Sequence, residues 1–179
     1  LKNGHGESTE KLLLAESRLE TVFEGESVKI LDRFKGERLY KKRYHPLFTF
    51  TPLDKPAHFV VLGDFVSTED GTGLVHIAPA YGEDDMRVAQ SEDLPILETV
   101  SPNGTFISEV RPWAGKFVKD ADPYIIDQLN KRGLLLRAER YTHTYPFCWR
   151  CDTPLLYYAR RTWYIRTSQF KDRLVALNK

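Results

Sequence analysis

The chain is poor in several things at once. Of its 179 residues, two are cysteine and one is methionine. Two cysteines so close together, Cys148 and Cys151, cannot staple a fold, so a disulfide scaffold is excluded and the reading is a reducing, cytoplasmic setting. No apolar run approaches the ~18 residues that span a bilayer, and no signal peptide opens the chain, so no membrane partner is expected. An excess of one charge sign is lacking as well. The 26 Lys and Arg residues against 25 Asp and Glu leave a formal net charge of +1. Bulk charge therefore gives no argument for nucleic acid or for a membrane surface. There is no internal repeat and no low-complexity segment.

What remains is ordinary globular composition, 41% hydrophobic and 28% charged, long enough for one domain with a proper core. The positive charge is unevenly spread. From Arg137 to Arg173 the bases are Arg137, Arg140, Arg150, Arg160, Arg161, Arg166, Lys171 and Arg173, against Glu139, Asp152 and Asp172. Tyr141, Tyr145, Trp149, Tyr157, Tyr158, Trp163 and Tyr164 are interleaved with them. Such a surface suits phosphates and stacked bases. The alternative is a set of strands with aromatics packed inward and arginines solvated.

Local patterns predict mostly strands. Asn3-Gly4-His5-Gly6 reads as a turn before a strand at 12–15, and 16–23 as a short helix. Residues 28–34 follow, then 41–50, which contains Pro46 and reads as irregular or edge structure. The runs 58–66 and 73–78 read as buried strands. A short helix is predicted over 84–90, and a hairpin from 96–100 and 105–107 around the turn Ser101-Pro102-Asn103-Gly104. The clearest helix signal covers 123–132, with Asp122 as N-cap, Pro123 in the first turn, Gly133 as the stop and Ile125, Ile126 and Leu129 on one face. Residues 134–140 and 155–166 read as strands, and 168–177 has helical spacing. The expectation is an α+β, β-rich fold, its core a closed or strongly curved β-barrel with a few short flanking helices.

One stretch carries more chemistry than the rest. Residues 71–85 read Gly-Thr-Gly-Leu-Val-His-Ile-Ala-Pro-Ala-Tyr-Gly-Glu-Asp-Asp. Glycines at 71 and 73 let backbone approach a ligand, or simply allow a tight turn. Strand alternation sets Leu74, His76 and Ala78 on one face and Val75 and Ile77 on the other, so His76 faces either a pocket wall or a backbone carbonyl. Glu83, Asp84 and Asp85 at a helix start suit capping and the helix dipole, but three acids exceed what capping requires. A carboxylate there suits a substrate ammonium group, because charge-assisted hydrogen bonds are the stronger ones.

Taken as a unit, 71–85 resembles the signature of the editing domain inserted into class I synthetases for isoleucine, valine and leucine. His76 and the Tyr81-Gly82 pair match its isoleucyl version, where the others follow Pro-Ala with His-Asp. Phe59-Val60-Val61-Leu62-Gly63-Asp64-Phe65-Val66-Ser67 leads into it as in that family. Thr144-Tyr145-Pro146-Phe147-Cys148-Trp149-Arg150-Cys151, Thr153-Pro154-Leu155 and Trp163-Tyr164-Ile165 are similar to the stretch returning to the synthetase core. The first fifty residues match loosely. The resemblance thus divides the chain into an editing region, 1–140, and a returning region, 141–179.

It implies hydrolysis of valine mischarged onto the isoleucine tRNA. One methylene supplies only ~1–3 kcal/mol of discrimination, a limit for which the isoleucyl enzyme is itself the standard illustration, so a second, smaller pocket completes the sieve. By the same resemblance Asp85 and His76 are the catalytic residues: Asp85 binds the α-ammonium and fixes the ester carbonyl beside a water, and His76 lines the side-chain pocket and bars isoleucine. Gly71, Thr72, Gly73, Tyr81 and Tyr145 contact substrate. Implied partners are the 3′ end of tRNA(Ile), valyl-adenylate or a valyl ester, and the rest of the synthetase, in a monomer. Editing needs no cofactor, and ATP serves the parent enzyme only. The family's threonine-rich segment and its nucleotide motifs are missing, so the sequence reads as a fragment. Cys148 and Cys151 have the spacing of half a zinc knuckle; they read as free thiols, with structural zinc only if cysteines outside this chain complete the set. The competing readings are a valyl-type domain clearing threonine from tRNA(Val) and a nonenzymatic tRNA-binding module.

Overall fold

A single indole organises the best-packed part of the chain. In the computed structural model, which describes residues 10–140, 142 and 144–178, Trp113 is buried with Val110 and Ala121, and Phe48, Phe50, Phe106, Ile107 and Ile125 pack around them. Phe48 and Phe50 stack on each other at 5.5 Å and both present edges to Trp113, at 5.3 and 5.6 Å. Edge-to-face pairs of this kind are worth ~0.5–1.5 kcal/mol beyond the area they bury. Arg132 closes the cluster: its guanidinium lies 5.1 Å from the Phe48 ring centroid and donates to the Leu47 carbonyl at 2.7 Å.

The regular elements are helical. A 3₁₀ turn, Glu16–Arg18, runs into α1, Leu19–Val22. A second 3₁₀ turn is Gly36–Leu39. A third, Pro79–Tyr81, leads through Gly82 into α2, Glu83–Ser91. Arg111–Trp113 forms a fourth and precedes α3, Val118–Lys131. Thr167–Phe170 runs into α4, Lys171–Leu177.

The helices expected over 16–23, 84–90 and 168–177 are therefore present, with shifted ends. The helix expected at Pro123 starts five residues earlier, at Val118. Phe117, not Asp122, is its N-cap, and Pro123 lies inside it. At the sixth helical position Pro123 lacks the amide that would bond to the Lys119 carbonyl, and its ring crowds that carbonyl. The stop is as expected: Gly133 adopts φ +66, and the amides of Gly133 and Leu134 bond back to Asn130 and Leu129.

The β-barrel expectation is overturned. Among the described residues there is no strand and no sheet. Extended backbone pairs only at four isolated antiparallel bridges, Arg43–Phe59, Val100–Phe106, Thr105–Phe117 and Phe147–Pro154. The runs expected as strands at 12–15, 58–66, 73–78, 134–140 and 155–166 carry β propensity but find no ladder, and propensity without a facing strand fixes nothing. The run 58–66 also opens on His58 at φ +59 and turns at Gly63–Val66. In 73–78, Leu74, Val75 and His76 are all exposed, so the expected alternation of buried and pocket-facing side chains is absent. The turn 101–104 does form. Gly104 at φ +80 donates to the Ser101 carbonyl at 2.9 Å, and Ser101 to that of Thr105 at 2.8 Å, but only one bridge of the expected hairpin follows. The turn expected at 3–6 lies outside the described residues.

Candidate functional site

The segment 71–85 is held at both ends by other parts of the chain. At its start, Gly71 and Gly73 adopt φ +56 and +76, the left-handed region that glycine enters without cost. The Ala15 amide donates to the Thr72 carbonyl at 2.8 Å, and Arg18 donates to the carbonyls of Gly71 and Glu69 at 3.0 and 2.5 Å. At its end, the 3₁₀ turn Pro79–Tyr81 delivers Gly82 as the N-cap of α2.

The three acids that open α2 have different surroundings. Asp84 pairs with Arg87 at 3.0 Å, and Glu83 reaches the same guanidinium at 4.0 Å. Asp85 pairs with no cation among the described residues. Half-buried at the third helical position, its Oδ2 turns back to accept the Ala78 amide at 3.3 Å. That oxygen lies 2.5 Å from where a side chain on Gly82 would begin. Gly82 is thus the space into which the Asp85 carboxylate folds. Its φ of −149 is open to any residue, so the need for glycine here is room and not backbone conformation.

Tyr81 is committed to scaffolding. Its hydroxyl oxygen accepts the amides of Thr99 and Val100 at 2.7 and 2.9 Å and lies 3.3 Å from Thr99 Oγ1. Tyr158 meets the Tyr81 ring edge-on at 6.1 Å and donates its hydroxyl to the Val100 carbonyl at 2.9 Å. The Ala159 amide donates to the Ala80 carbonyl at 2.8 Å. Residues 158–159 are therefore laced to the loop that leads into α2.

The remaining predicted site residues lie differently. His76 is exposed, and no hydrogen bond joins it to Asp85. The ring contacts described for Tyr145 are with Phe147, at 6.0 Å, and with the Lys119 ammonium, at 4.7 Å from its centroid. Cys148 and Cys151 occupy a tight knuckle in which Cys148 donates to the Thr153 carbonyl and Asp152, at φ +54, to that of Cys148, both at 2.9 Å. The Cys151 thiol lies 3.1 Å from Thr153 Oγ1, and this hydrogen bond, with a smaller contribution from Cys148, holds its pKa below the ordinary thiol value. Two such sulfurs suit half of a tetrahedral zinc site. Among the described residues no third His, Cys, Asp or Glu completes it.

Sequence reasoning missed Arg18, Tyr158 and a tether between the N-terminal third and α2. In the tether, Glu92 at the end of α2 accepts from the Lys41 ammonium and the Tyr40 hydroxyl. Lys41 sits at φ +60, with its ammonium 4.3 Å from the Phe59 ring centroid. None of these residues stands in a recognisable motif. Among the described residues no helix is long and apolar enough to cross a membrane.

No family model matches the chain. Individual relatives do. The isoleucine–tRNA ligase of Clostridium acetobutylicum is 51% identical over 169 residues, covering 94% of this chain and 16% of the relative. That of Thermoplasma volcanium is 47% identical over 171 residues, again 94% and 16%. That of Thermobifida fusca is 49% identical over 146 residues, 82% and 14%. The chain thus spans about a sixth of the length of the curated relatives it matches.

Proposed function

The chain belongs to the isoleucyl-tRNA synthetase family, and from that premise we propose that it forms part of the editing site that hydrolyses valine mischarged onto tRNA(Ile). The observation that carries the reading is the state of Asp85. Of the acids opening α2 it alone has no cationic partner among the described residues, and it is fixed by the Ala78 amide and the open space at Gly82. A carboxylate so placed takes the α-ammonium of an aminoacyl ester through a charge-assisted hydrogen bond. Holding the ammonium sets the ester carbonyl relative to an attacking water, and such orientation lowers the barrier without a covalent intermediate.

Among the described residues neither His76 nor Asp85 takes a serine hydroxyl or a cysteine thiol as its hydrogen-bond partner, and in this reading water attacks the ester directly. His76 is the side chain that bars isoleucine in this reading, and the exposed Arg160, Arg161, Trp163 and Arg166 are available to the tRNA acceptor end. Tyr81 supports the pocket through Thr99 and Val100. A cytoplasmic monomer, working with the remainder of a synthetase, completes the proposal. Zinc belongs to it only as a structural ion shared between Cys148, Cys151 and ligands from elsewhere.

The test is deacylation of Val-tRNA(Ile) and Thr-tRNA(Val) in parallel by the chain and its Asp85→Ala variant. Hydrolysis of the valyl ester is expected, with a loss of about 10–100-fold on substitution, the worth of one hydrogen bond to a charged group. Equal valine release by both proteins overturns the role of Asp85, and preference for the threonyl ester overturns the isoleucyl assignment.

A further inference from the structure

We infer that Tyr158 is a positioning residue for Asp85: with Tyr81 it clamps Val100, and the clamp fixes the 3₁₀ turn next to the carboxylate's backbone partner, Ala78. The inference rests on the editing reading above and adds to it a residue from the returning region.

The clamp exists because one short extended segment lacks a neighbour. Val100 is 7% exposed and stands opposite Phe106 in an isolated antiparallel bridge. The bonds of that bridge belong to the flanking residues, Ser101 donating to the Thr105 carbonyl at 2.8 Å and Ile107 to that of Thr99 at 3.1 Å. In such a pair the central residue turns its own N–H and C=O the other way. A further strand would take them, but there is none among the described residues. Two tyrosines take them instead. Val100 donates its amide to the Tyr81 hydroxyl oxygen at 2.9 Å, and Tyr158 donates its hydroxyl to the Val100 carbonyl at 2.9 Å. The two rings meet edge-on at 6.1 Å. Leaving that carbonyl without its donor is unfavourable in so buried a place.

From the clamp to Asp85 every step is a direct contact. The Tyr81 amide donates to the Ala78 carbonyl at 2.8 Å and closes the turn Pro79–Tyr81. The Ala159 amide donates to the Ala80 carbonyl at 2.8 Å, so the turn is held by a side chain at Tyr81 and by backbone at Ala80. Ala78 gives its own amide to Asp85 Oδ2 at 3.3 Å. That bond is long, and a small shift of Ala78 breaks it. No cation among the described residues holds Asp85 in its stead. Tyr158 thus sets the carboxylate through the turn, where a misplacement of about 1 Å is enough to slow an oriented reaction. Tyr157, its neighbour in sequence, is 62% exposed and serves as the control.

The test measures kcat/KM for Val-tRNA(Ile) hydrolysis in Tyr158→Phe and Tyr157→Phe, each with and without Asp85→Ala, and follows hydrogen exchange of the Ala78 amide by NMR. Tyr158→Phe keeps the ring and removes only the donor. It is expected to lower kcat/KM about fivefold, the worth of one neutral hydrogen bond, and to quicken Ala78 exchange by a similar factor. In the Asp85→Ala background it is expected to change kcat/KM no further, because residues that act through one another are not additive. Tyr157→Phe is expected to match the wild type. A merely structural role would lower activity by one factor in both backgrounds. That result, or wild-type kcat/KM or unchanged Ala78 exchange in Tyr158→Phe, or an equal loss in Tyr157→Phe, overturns the inference. If Tyr158→Phe does not fold, exchange in the wild type decides. The amides of Ala78, Val100 and Ala159 are expected to open together, and independent opening of Ala78 overturns the inference. A wild type that does not hydrolyse the ester overturns the editing reading, and Ala78 exchange alone then decides whether Tyr158 positions Asp85.

Discussion

Trp113 and Trp163 are the same residue in opposite circumstances. Trp113 is 5% exposed inside a cage of phenylalanines, whereas Trp163 is fully exposed, with Tyr164 and Ile165 beside it nearly so. Local hydrophobicity points the wrong way, since Trp113 stands between Arg111-Pro112 and Ala114-Gly115-Lys116, while Trp163 is followed by Tyr164 and Ile165. What differs is the supply of facing surface. Around Trp113, a 3₁₀ turn, the start of α3 and the 48–50 segment converge, while no residue from 160 to 178 is buried. Burial is a property of two surfaces, and an amino-acid sequence describes only one of them at a time.

The largest effect that tests this contrast is on stability. Trp113→Ala is expected to cost ~3–5 kcal/mol, the range for deleting a large core aromatic. Trp163→Ala is expected to stay within ~0.5 kcal/mol, as for surface changes. Urea unfolding of both variants measures this, and equal losses would erase the distinction between the two regions.

A second pair sharpens it at the candidate site. A methyl added at Gly82 meets the Asp85 carboxylate, whereas one added at Gly36 meets nothing within 4 Å. Gly82→Ala is expected to lower kcat/KM for Val-tRNA(Ile) hydrolysis about tenfold by displacing Asp85, equivalent to ~1.4 kcal/mol of barrier. Gly36→Ala is expected to leave activity unchanged. If the two variants deacylate at the same rate, the space at Gly82 has no bearing on Asp85.

The smallest effect concerns the tether at Glu92. The hydrogen bond from Lys41 holds the Glu92 carboxyl below its ordinary value of 4.5, with a further bond from Tyr40, and Glu92 in turn raises Lys41 above 10.5. A carboxylate lowered by folding stabilises the fold above its unfolded pKa, and that contribution is lost as pH falls through the folded value. Lys41 adds its share at neutral pH and loses it only as pH climbs past its raised value. The wild type is therefore expected to lose melting temperature more steeply than Glu92→Gln as pH falls below 4.5. Parallel thermal melts between pH 3 and 7 give the comparison.

The elements that could be read from sequence are those whose causes are local. Three acids after Gly82 mark the start of α2, and Gly133 stops α3 because it alone there enters the left-handed region easily. The start of α3 escaped notice because Asp122 and Pro123 are strong N-terminal signals, while the actual cap, Phe117, offers no side-chain hydrogen bond. The strands were misjudged for a different reason: alternation and β-branching report a preference, and a ladder needs a second segment in register. At the site, Asp85 was legible from its place at the helix start. Arg18 was not, because it acts on carbonyls more than fifty residues away and looks like any solvated helix charge.

The lacing at residues 158–159 has a mechanical side. The Tyr158 hydroxyl on Val100 and the Ala159 amide on Ala80 are two stitches on adjacent residues, and both end beside Tyr81, whose own hydroxyl is stitched to Thr99 and Val100. The chain has no slack there. Tension applied beyond residue 160 is borne first by the Ala80 carbonyl, two residues from the glycine that makes room for Asp85.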